Sequence, residues 1–188
     1  NTEVFKGKSF VDISNLYVGD RVRLKFATAN TSRIAEINIM STANTVADLY
    51  KANLNAVNTN KNTLNVKNAH TLLDWRFGTG SIKTKATFNF TNNTTIYAGN
   101  KKISKNQLKN YSNSDIYFVT KAQFNKEVID KIIVLAKNER TFYQPINRVN
   151  IGVNMLELKN SLKLNYHNGS ILIRNGRLVE PEGLIALD

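Results

Sequence analysis

Long stretches of the chain alternate apolar and polar residues with the two-residue period of a half-buried strand. Arg21-Val22-Arg23-Leu24-Lys25-Phe26 places Val22, Leu24 and Phe26 on one face and three cations on the other. Residues 84–90 have the same character and are rich in β-branched and aromatic residues, which fit a pleated surface. Leu162-Lys163-Leu164-Asn165-Tyr166 alternates strictly and runs into two Asn-Gly pairs, Asn168-Gly169 and Asn175-Gly176. Because Asn and Gly tolerate the positive φ of two-residue hairpin turns, the pattern predicts a meander over 162–179. Residues 122–136 also fit an amphipathic helix, with Phe124, Val128, Ile129, Ile132 and Leu135 on one side. Helix content is expected to be low. Ser104 with Gln107 three residues on is a capping-box pattern opening one turn, and Thr45 to Tyr50 is a second short candidate.

The pattern recurs. Thr2-Glu3-Val4-Phe5-Lys6-Gly7 aligns with Thr94-Thr95-Ile96-Tyr97-Ala98-Gly99 at an offset of 92, and Leu16 falls on Leu108. After a three-residue slip Asp20 meets Asp115, Val22 meets Tyr117, Leu24 meets Val119, and Ile34, Ile37 and Ile39 meet Ile129, Ile132 and Val134. Residues 54–58 and 62–68 recur at 146–150 and 154–160, and a third glycine motif follows at Ile173 to Arg177. The ordered apolar positions agree as well as the common polar ones, which is the signature of a repeat. The repeat also settles 128–135 as strand, because its counterpart at 33–39 alternates. Short strands joined by polar turns, without βαβ alternation, predict an all-β fold of tandem small barrels or sandwiches with one short helical turn per repeat. The phase assigns 1–41 to the C-terminal part of a first module, 42–137 to a complete module and 138–188 to the N-terminal part of a further one. Such a chain reads as a segment of a longer protein.

Composition narrows the chemistry. With no cysteine among 188 residues there are no disulfides, thiolate metal sites or thiol nucleophiles. Only His70 and His167 are present, neither with a spaced partner, so exposed or locally bonded histidines are expected rather than acid–base groups. Asp20 and Asp188 sit in turn contexts, where Asp accepts its own backbone hydrogen bonds. Phe77-Gly78-Thr79-Gly80-Ser81 lacks the strand–helix context and the Lys-Ser/Thr of a phosphate loop, and no calcium loop occurs. Neither catalytic residues nor a cofactor are expected. The longest apolar run, 132–136, is too short to cross a bilayer.

Charge adds one candidate site. Lys and Arg number 26 against 14 Asp and Glu, a net +12. Arg21, Arg23, Lys25, Lys83 and Lys85 lie on alternating segments and would form a basic strand face able to hold an anionic polymer through counterion release. Single-stranded nucleic acid is the weaker partner of the two considered, because stacking needs exposed aromatics and the alternation assigns Phe26 to the core.

Asn15-Leu16-Tyr17-Val18-Gly19-Asp20-Arg21-Val22, preceded by Val4-Phe5-Lys6-Gly7-Lys8 and followed by Ile34-Ala35-Glu36-Ile37-Asn38-Ile39, resembles the β-modules of bacterial cell-surface proteins that accompany S-layer homology domains in Gram-positive organisms. The Gly-Asp pair stands intact only at Gly19-Asp20 and becomes Ser114-Asp115 and Leu187-Asp188 in the other copies. The resemblance implies an extracellular, noncatalytic structural or spacer module in assembly or adhesion, with neighbouring modules and an anionic wall polymer as partners.

Overall fold

Alternation becomes strand wherever a partner lies within reach. The computed structural model describes residues 2–73, 76–123, 126–135, 143–184 and 186, without the side chains of 41 and 73–81. Of the sequence features above, Phe124, Leu187 and Asp188 lie outside the described residues. The protein is mostly β, 56% strand, with one short α-helix among the described residues. It folds as two units, 1–45 and 46–188.

The first unit contains β1 (Glu3–Lys6), β2 (Ser9–Phe10), β3 (Arg21–Phe26) and β4 (Ile34–Ser41), in the order β2-β1-β4-β3. β1 runs parallel to β4, with Val4 opposite Ile37, and β3 pairs antiparallel with β4. Gly7, at φ +63°, turns β1 into β2. A single 3-10 turn, Ile13–Asn15, is capped by the Asp12 carboxylate, which accepts from the Ser14 amide at 2.8 Å. Asp20 accepts from the Tyr17 amide (3.1 Å) and the Ala43 amide (2.7 Å), the turn role expected of it. Val4, Ile37 and Ile39 form the core, with Val11, Leu16, Val22 and Ile34 packed against it. The expected apolar face of β3 is only partly core, since Leu24 is 42% and Phe26 50% exposed. Four short strands and one helical turn do not cover the whole of an apolar sheet face.

The second unit begins with a barrel. Its strands are β5 (Leu49–Asn58), β6 (Thr63–Leu73), β7 (Arg76–Ala98), β9 (Asp115–Gln123) and β10 (Lys126–Val134), with the short β8 (Lys101–Lys102) beside the end of β7. The order β10-β9-β5-β6-β7 closes through a parallel pairing of β10 with β7, which makes a five-stranded barrel. Closure removes the free edges that an open sheet would leave. Each long strand sends every second residue inward, and Tyr50, Leu54, Leu64, Ile96, Ile116, Phe118, Ile129 and Ile132 are at most 2% exposed. Phe118 stacks on Tyr50 and meets Phe88 edge-on, both at 4.9 Å between ring centres. The α1 helix (Lys105–Leu108) bridges β8 to β9. Ser104 accepts from the Gln107 amide while the Gln107 side chain accepts from the Ser104 amide, so the capping box forms, and Leu108 is fully buried.

Two expectations about elements divide here. Residues 126–134 are strand, as the repeat argued against the helical period. Thr45 to Tyr50 is not helical: Leu49 and Tyr50 open β5, because pairing with β9 buries Tyr50 completely.

After the barrel, β11 (Ile146–Asn150), β12 (Met155–Leu158) and β13 (Lys163–Asn165) form an antiparallel sheet, and β14 (Ile173–Arg174) and β15 (Arg177–Leu178) form a hairpin. Asn175 and Gly176, at φ +52° and +71°, make that hairpin's turn as expected. The predicted meander is interrupted. β13 pairs back with β12, and a turn at His167 to Ser170 separates it from β14. Among the described residues no helix is long and apolar enough to cross a membrane.

Candidate anion-binding face

The barrel unit holds most of the charge: residues 46–188 contain 20 of the Lys and Arg residues and 10 of the Asp and Glu. Barrel pleating decides where those cations point. Leu64 and Val66 of β6 and Phe88 and Phe90 of β7 are buried, so Asn65, Lys67, Lys85, Thr87 and Asn89 occupy the opposite, outer face. The Thr87 hydroxyl donates to Asn65 Oδ1 at 2.8 Å, tying the two strands on that face. One step along the ladder Lys67 stands directly opposite Lys85. Like charges opposed across a ladder repel. Among the described residues neither lysine has an ion pair or hydrogen bond to offset the repulsion. On the neighbouring strands Lys51 faces Tyr117 across the β5–β9 ladder, its Nζ 5.8 Å from the ring centre, and His70 stands opposite Lys51 on β6. The outer face therefore combines three lysines, a tyrosine and a histidine on paired strands. Among the described residues His70 Nδ1 is buried without a hydrogen-bond partner, unlike His167 Nδ1, which accepts locally from the Gly169 amide at 3.0 Å.

Lys83, expected on the same face as Lys85, is bound elsewhere. Its Nζ donates to Tyr50 Oη at 3.0 Å, lies 3.9 Å from Glu127, and sits over the rings of Tyr50 (5.0 Å) and Phe88 (5.3 Å). Tyr50 Oη donates to Asp48 at 3.3 Å, and the Thr120 hydroxyl donates to Glu127 at 2.6 Å. Burial, with the negative charge of Glu127 nearby, holds the Asp48 carboxyl above the ordinary carboxylate range. Burial, reinforced by the hydrogen bond to Glu127, pushes the Tyr50 phenol up as well. Lys83 is thus the counter-ion of two carboxylates and has little left to offer a ligand.

The remaining expected cations are on the first unit. Arg21, Arg23 and Lys25 are exposed on β3. Lys25 stands opposite Glu36 and pairs with it at 3.9 Å, while Arg23 borders a shallow depression with Lys6, Gly7, Asn38 and Thr42. Of the five expected residues, Arg21, Arg23 and Lys25 belong to the first unit, Lys83 is turned into a network, and Lys85 stands on the barrel's outer face. Lys51 and Lys67 were missed because neither lies in a basic run. What places them beside Lys85 is the β5–β6–β7 register, and the alternation of Leu64 and Val66 around Asn65 was the available signal.

No group of three or more His, Asp or Glu side chains among the described residues is placed to hold a metal ion. No family model and no curated protein matches the chain. Among solved structures, a Cu(II)-bound variant of CusF, residues 10–88, from Escherichia coli is similar to 52% of this chain over its own full length, at 12% identity and a TM-score of 0.33.

Proposed function

We propose that this chain is a noncatalytic run of tandem β-modules from a bacterial surface protein, serving in spacing and assembly. The observation that carries the reading is the recurrence of backbone register between residues 2–41 and the second half of the barrel. Val4 opposite Ile37 and Lys6 opposite Ile39 match Ile96 opposite Ile132 and Ala98 opposite Val134, at offsets of 92 and 95. The Val11 amide bonds to the Val4 carbonyl at 2.9 Å, as Ile103 does to Ile96. Thr2 Oγ1 donates to the Ile34 carbonyl at 2.7 Å, and Thr94 Oγ1 to the Ile129 carbonyl at the same distance. Asp12 and Ser104 cap the helical turn at equivalent positions. Even the irregularity after Lys25 recurs after Val119, where each partner strand carries one extra residue. These registers align Val22, Leu24 and Phe26 with Ile116, Phe118 and Thr120, one residue off the alignment drawn from sequence, and so keep inward positions matched with inward ones. The bacterial surface setting rests on the resemblance of residues 4–39. Antibodies to the chain should label intact cells that carry the gene, and the protein should stay with the wall fraction. Labelling that requires permeabilised cells would overturn this reading.

A second reading is favoured by the opposed Lys67 and Lys85. The barrel's strand order and parallel closure are those of five-stranded Greek-key barrels whose second and third strands hold oligonucleotides or oligosaccharides. The corresponding strands here are β6 and β7, which carry these two lysines. An anion bridging them would relieve their repulsion, so the face is suited to a wall polymer or another polyanion. Affinity for teichoic-type polymer should fall steeply with salt. Lys67→Gln with Lys85→Gln should weaken binding about tenfold or more and flatten the salt slope by about two counterions. An unchanged slope would remove the reading.

A further inference from the structure

We infer that the outer side of the first unit's sheet binds a sugar polymer with widely spaced carboxylates, through a row formed by Phe10, Phe5, Asn38 and Arg23. The site lies outside the tandem-module role and uses none of the residues of the Lys67–Lys85 face. The ladder registers set the four residues side by side: Phe10 opposite Phe5, Phe5 opposite Asn38, and Asn38 opposite Arg23, one from each strand. Val4, Ile37 and Ile39 alternate with them and form the core, so the row stands on the other side of the sheet. The barrel equivalents of Phe5, Asn38 and Arg23 are Tyr97, Ile133 and Tyr117, joined by the same pairings and alternating with the buried Ile96, Ile132 and Ile116. The row therefore belongs to the side that a closed sheet keeps outermost, and further strands joining the edges would leave it outside.

Packing does not require this composition. Where the barrel carries Ile133 and Tyr117, this sheet carries a carboxamide and a guanidinium. Asn38 is half-buried on a strand paired on both sides, and among the described residues its side chain has no hydrogen-bond partner. Arg23 and Lys6, both exposed, have no ion pair or hydrogen bond among the described residues either. With Gly7, Met40 and Thr42 these three border a depression of about 430 Å³. Asn38 joins it to the ring pair, where Phe5 and Phe10 meet edge-on with centres 5.9 Å apart at 81°. Phe10 is 69% exposed, so the two rings form an open corner.

Each part of the row matches a different part of a ligand. The ring corner suits an apolar ring face, such as the C–H face of a pyranose. A carboxamide offers two donors and an acceptor, which vicinal hydroxyls satisfy. A guanidinium forks around a carboxylate. Strands lie about 4.8 Å apart, so Arg23 stands roughly 10 Å from Phe5 and roughly 14 Å from Phe10 along the row. The carboxylate and the ring on the phenylalanines therefore belong to different units of a polymer. The adjoining row limits how densely that polymer is charged. Glu3, Glu36 and Lys25 stand in register beside Phe5, Asn38 and Arg23, two carboxylates to one cation. Glu36 pairs with Lys25 at 3.9 Å, which leaves Glu3 to repel an anion lying near the rings. A nucleic acid or a polyol phosphate, charged at every unit, meets that repulsion. A glycan of alternating acidic and neutral rings sets its neutral ring there and its carboxylate on Arg23.

Titration calorimetry of the full chain with a hyaluronan octasaccharide, whose rings alternate in this way, is the test. Arg23→Gln and Phe10→Ala should each weaken binding about tenfold, by loss of a charge-assisted fork or of the exposed ring. Arg23→Lys should recover little of the loss, because a point charge lacks the fork. Added salt should shrink the Arg23 effect and leave the Phe10 effect in place. Phe10→Leu, which keeps an apolar contact on Phe5 but removes the ring, should behave as Phe10→Ala does and separates loss of binding from loss of fold. Neutral malto-octaose and an oligo(dT) should bind about tenfold more weakly than the octasaccharide. Lys67→Gln with Lys85→Gln should leave octasaccharide binding unchanged, so this site and the barrel face stand or fall separately. No binding at millimolar octasaccharide, equal affinity for malto-octaose, tighter binding of oligo(dT), or an affinity that follows Lys67 and Lys85 instead of Arg23 and Phe10 would overturn the inference.

Discussion

Phe118 and Leu24 occupy equivalent places in two sheets, yet the structure predicts very different costs for truncating them. Phe118 is fully buried, stacked on Tyr50 and edge-on to Phe88. Replacing it with Ala opens a cavity that closed barrel walls cannot collapse, and such changes cost roughly 3–5 kcal/mol. The loss of two ring contacts places this one toward the upper end of that range. For a unit of this size the penalty corresponds to a fall in Tm of roughly 10–20 °C. Leu24 is 42% exposed in an incomplete sheet. Leu24→Ala should therefore cost no more than about 1 kcal/mol, well under the usual cost for a buried leucine. Differential scanning calorimetry separates the two if the units melt apart: Phe118→Ala should move the larger transition and leave the smaller one in place, and Leu24→Ala should shift the smaller one slightly. A drop below about 1 kcal/mol for Phe118→Ala would mean that the ring trio is not a sealed core, and the barrel argument would fail with it.

Three further outcomes follow from local geometry. The raised Asp48 carboxyl contributes stability that is present at acid pH and lost as pH rises through its elevated pKa. Asp48→Asn should thus leave the urea midpoint unchanged near pH 3 and raise it near pH 7, and a difference that fails to grow with pH would contradict the burial argument. Gly169→Ala would place a methyl group 2.7 Å from the Gly99 carbonyl oxygen and from Tyr97 Cβ, so it should destabilise the unit by about 1–3 kcal/mol in chemical denaturation; no measurable change would mean that this turn does not pack on β7. Ser104→Ala removes the acceptor that caps α1 and should cost about 1 kcal/mol by the same assay, with Ser104→Thr restoring most of it.

The strands were legible because burial imposes the period of two, and the capping box because its two bonds are local in sequence. Thr45 to Tyr50 misled because six residues carry too little pattern to distinguish a turn of helix from the opening of a strand; only β9, far along the chain, makes Tyr50 a core residue. Leu24 and Phe26 looked like core because alternation records which face is apolar, not whether another layer arrives to cover it. The basic face shows the same limit. Lys83 and Lys85 sit two residues apart and should share a side of a flat strand, yet Lys83 reaches Tyr50 and Glu127 whereas Lys85 stands beside Lys67. That division depends on barrel closure and on the Glu127 partner, which no short window of sequence contains.

Barrel closure also sets how fast this protein can form. β5 must find β9, and β7 must find β10, across intervening strands and a helix, while the hairpins β5–β6, β6–β7, β7–β8 and β9–β10 assemble from near neighbours. Chain entropy opposes those distant meetings until late, so refolding belongs in the millisecond-to-second range, with β5 and β10 as sticky unpaired borders in the meantime. Rapid dilution from denaturant at low protein concentration should recover monomer, and the same dilution at high concentration should lose it to aggregates before the ring can shut.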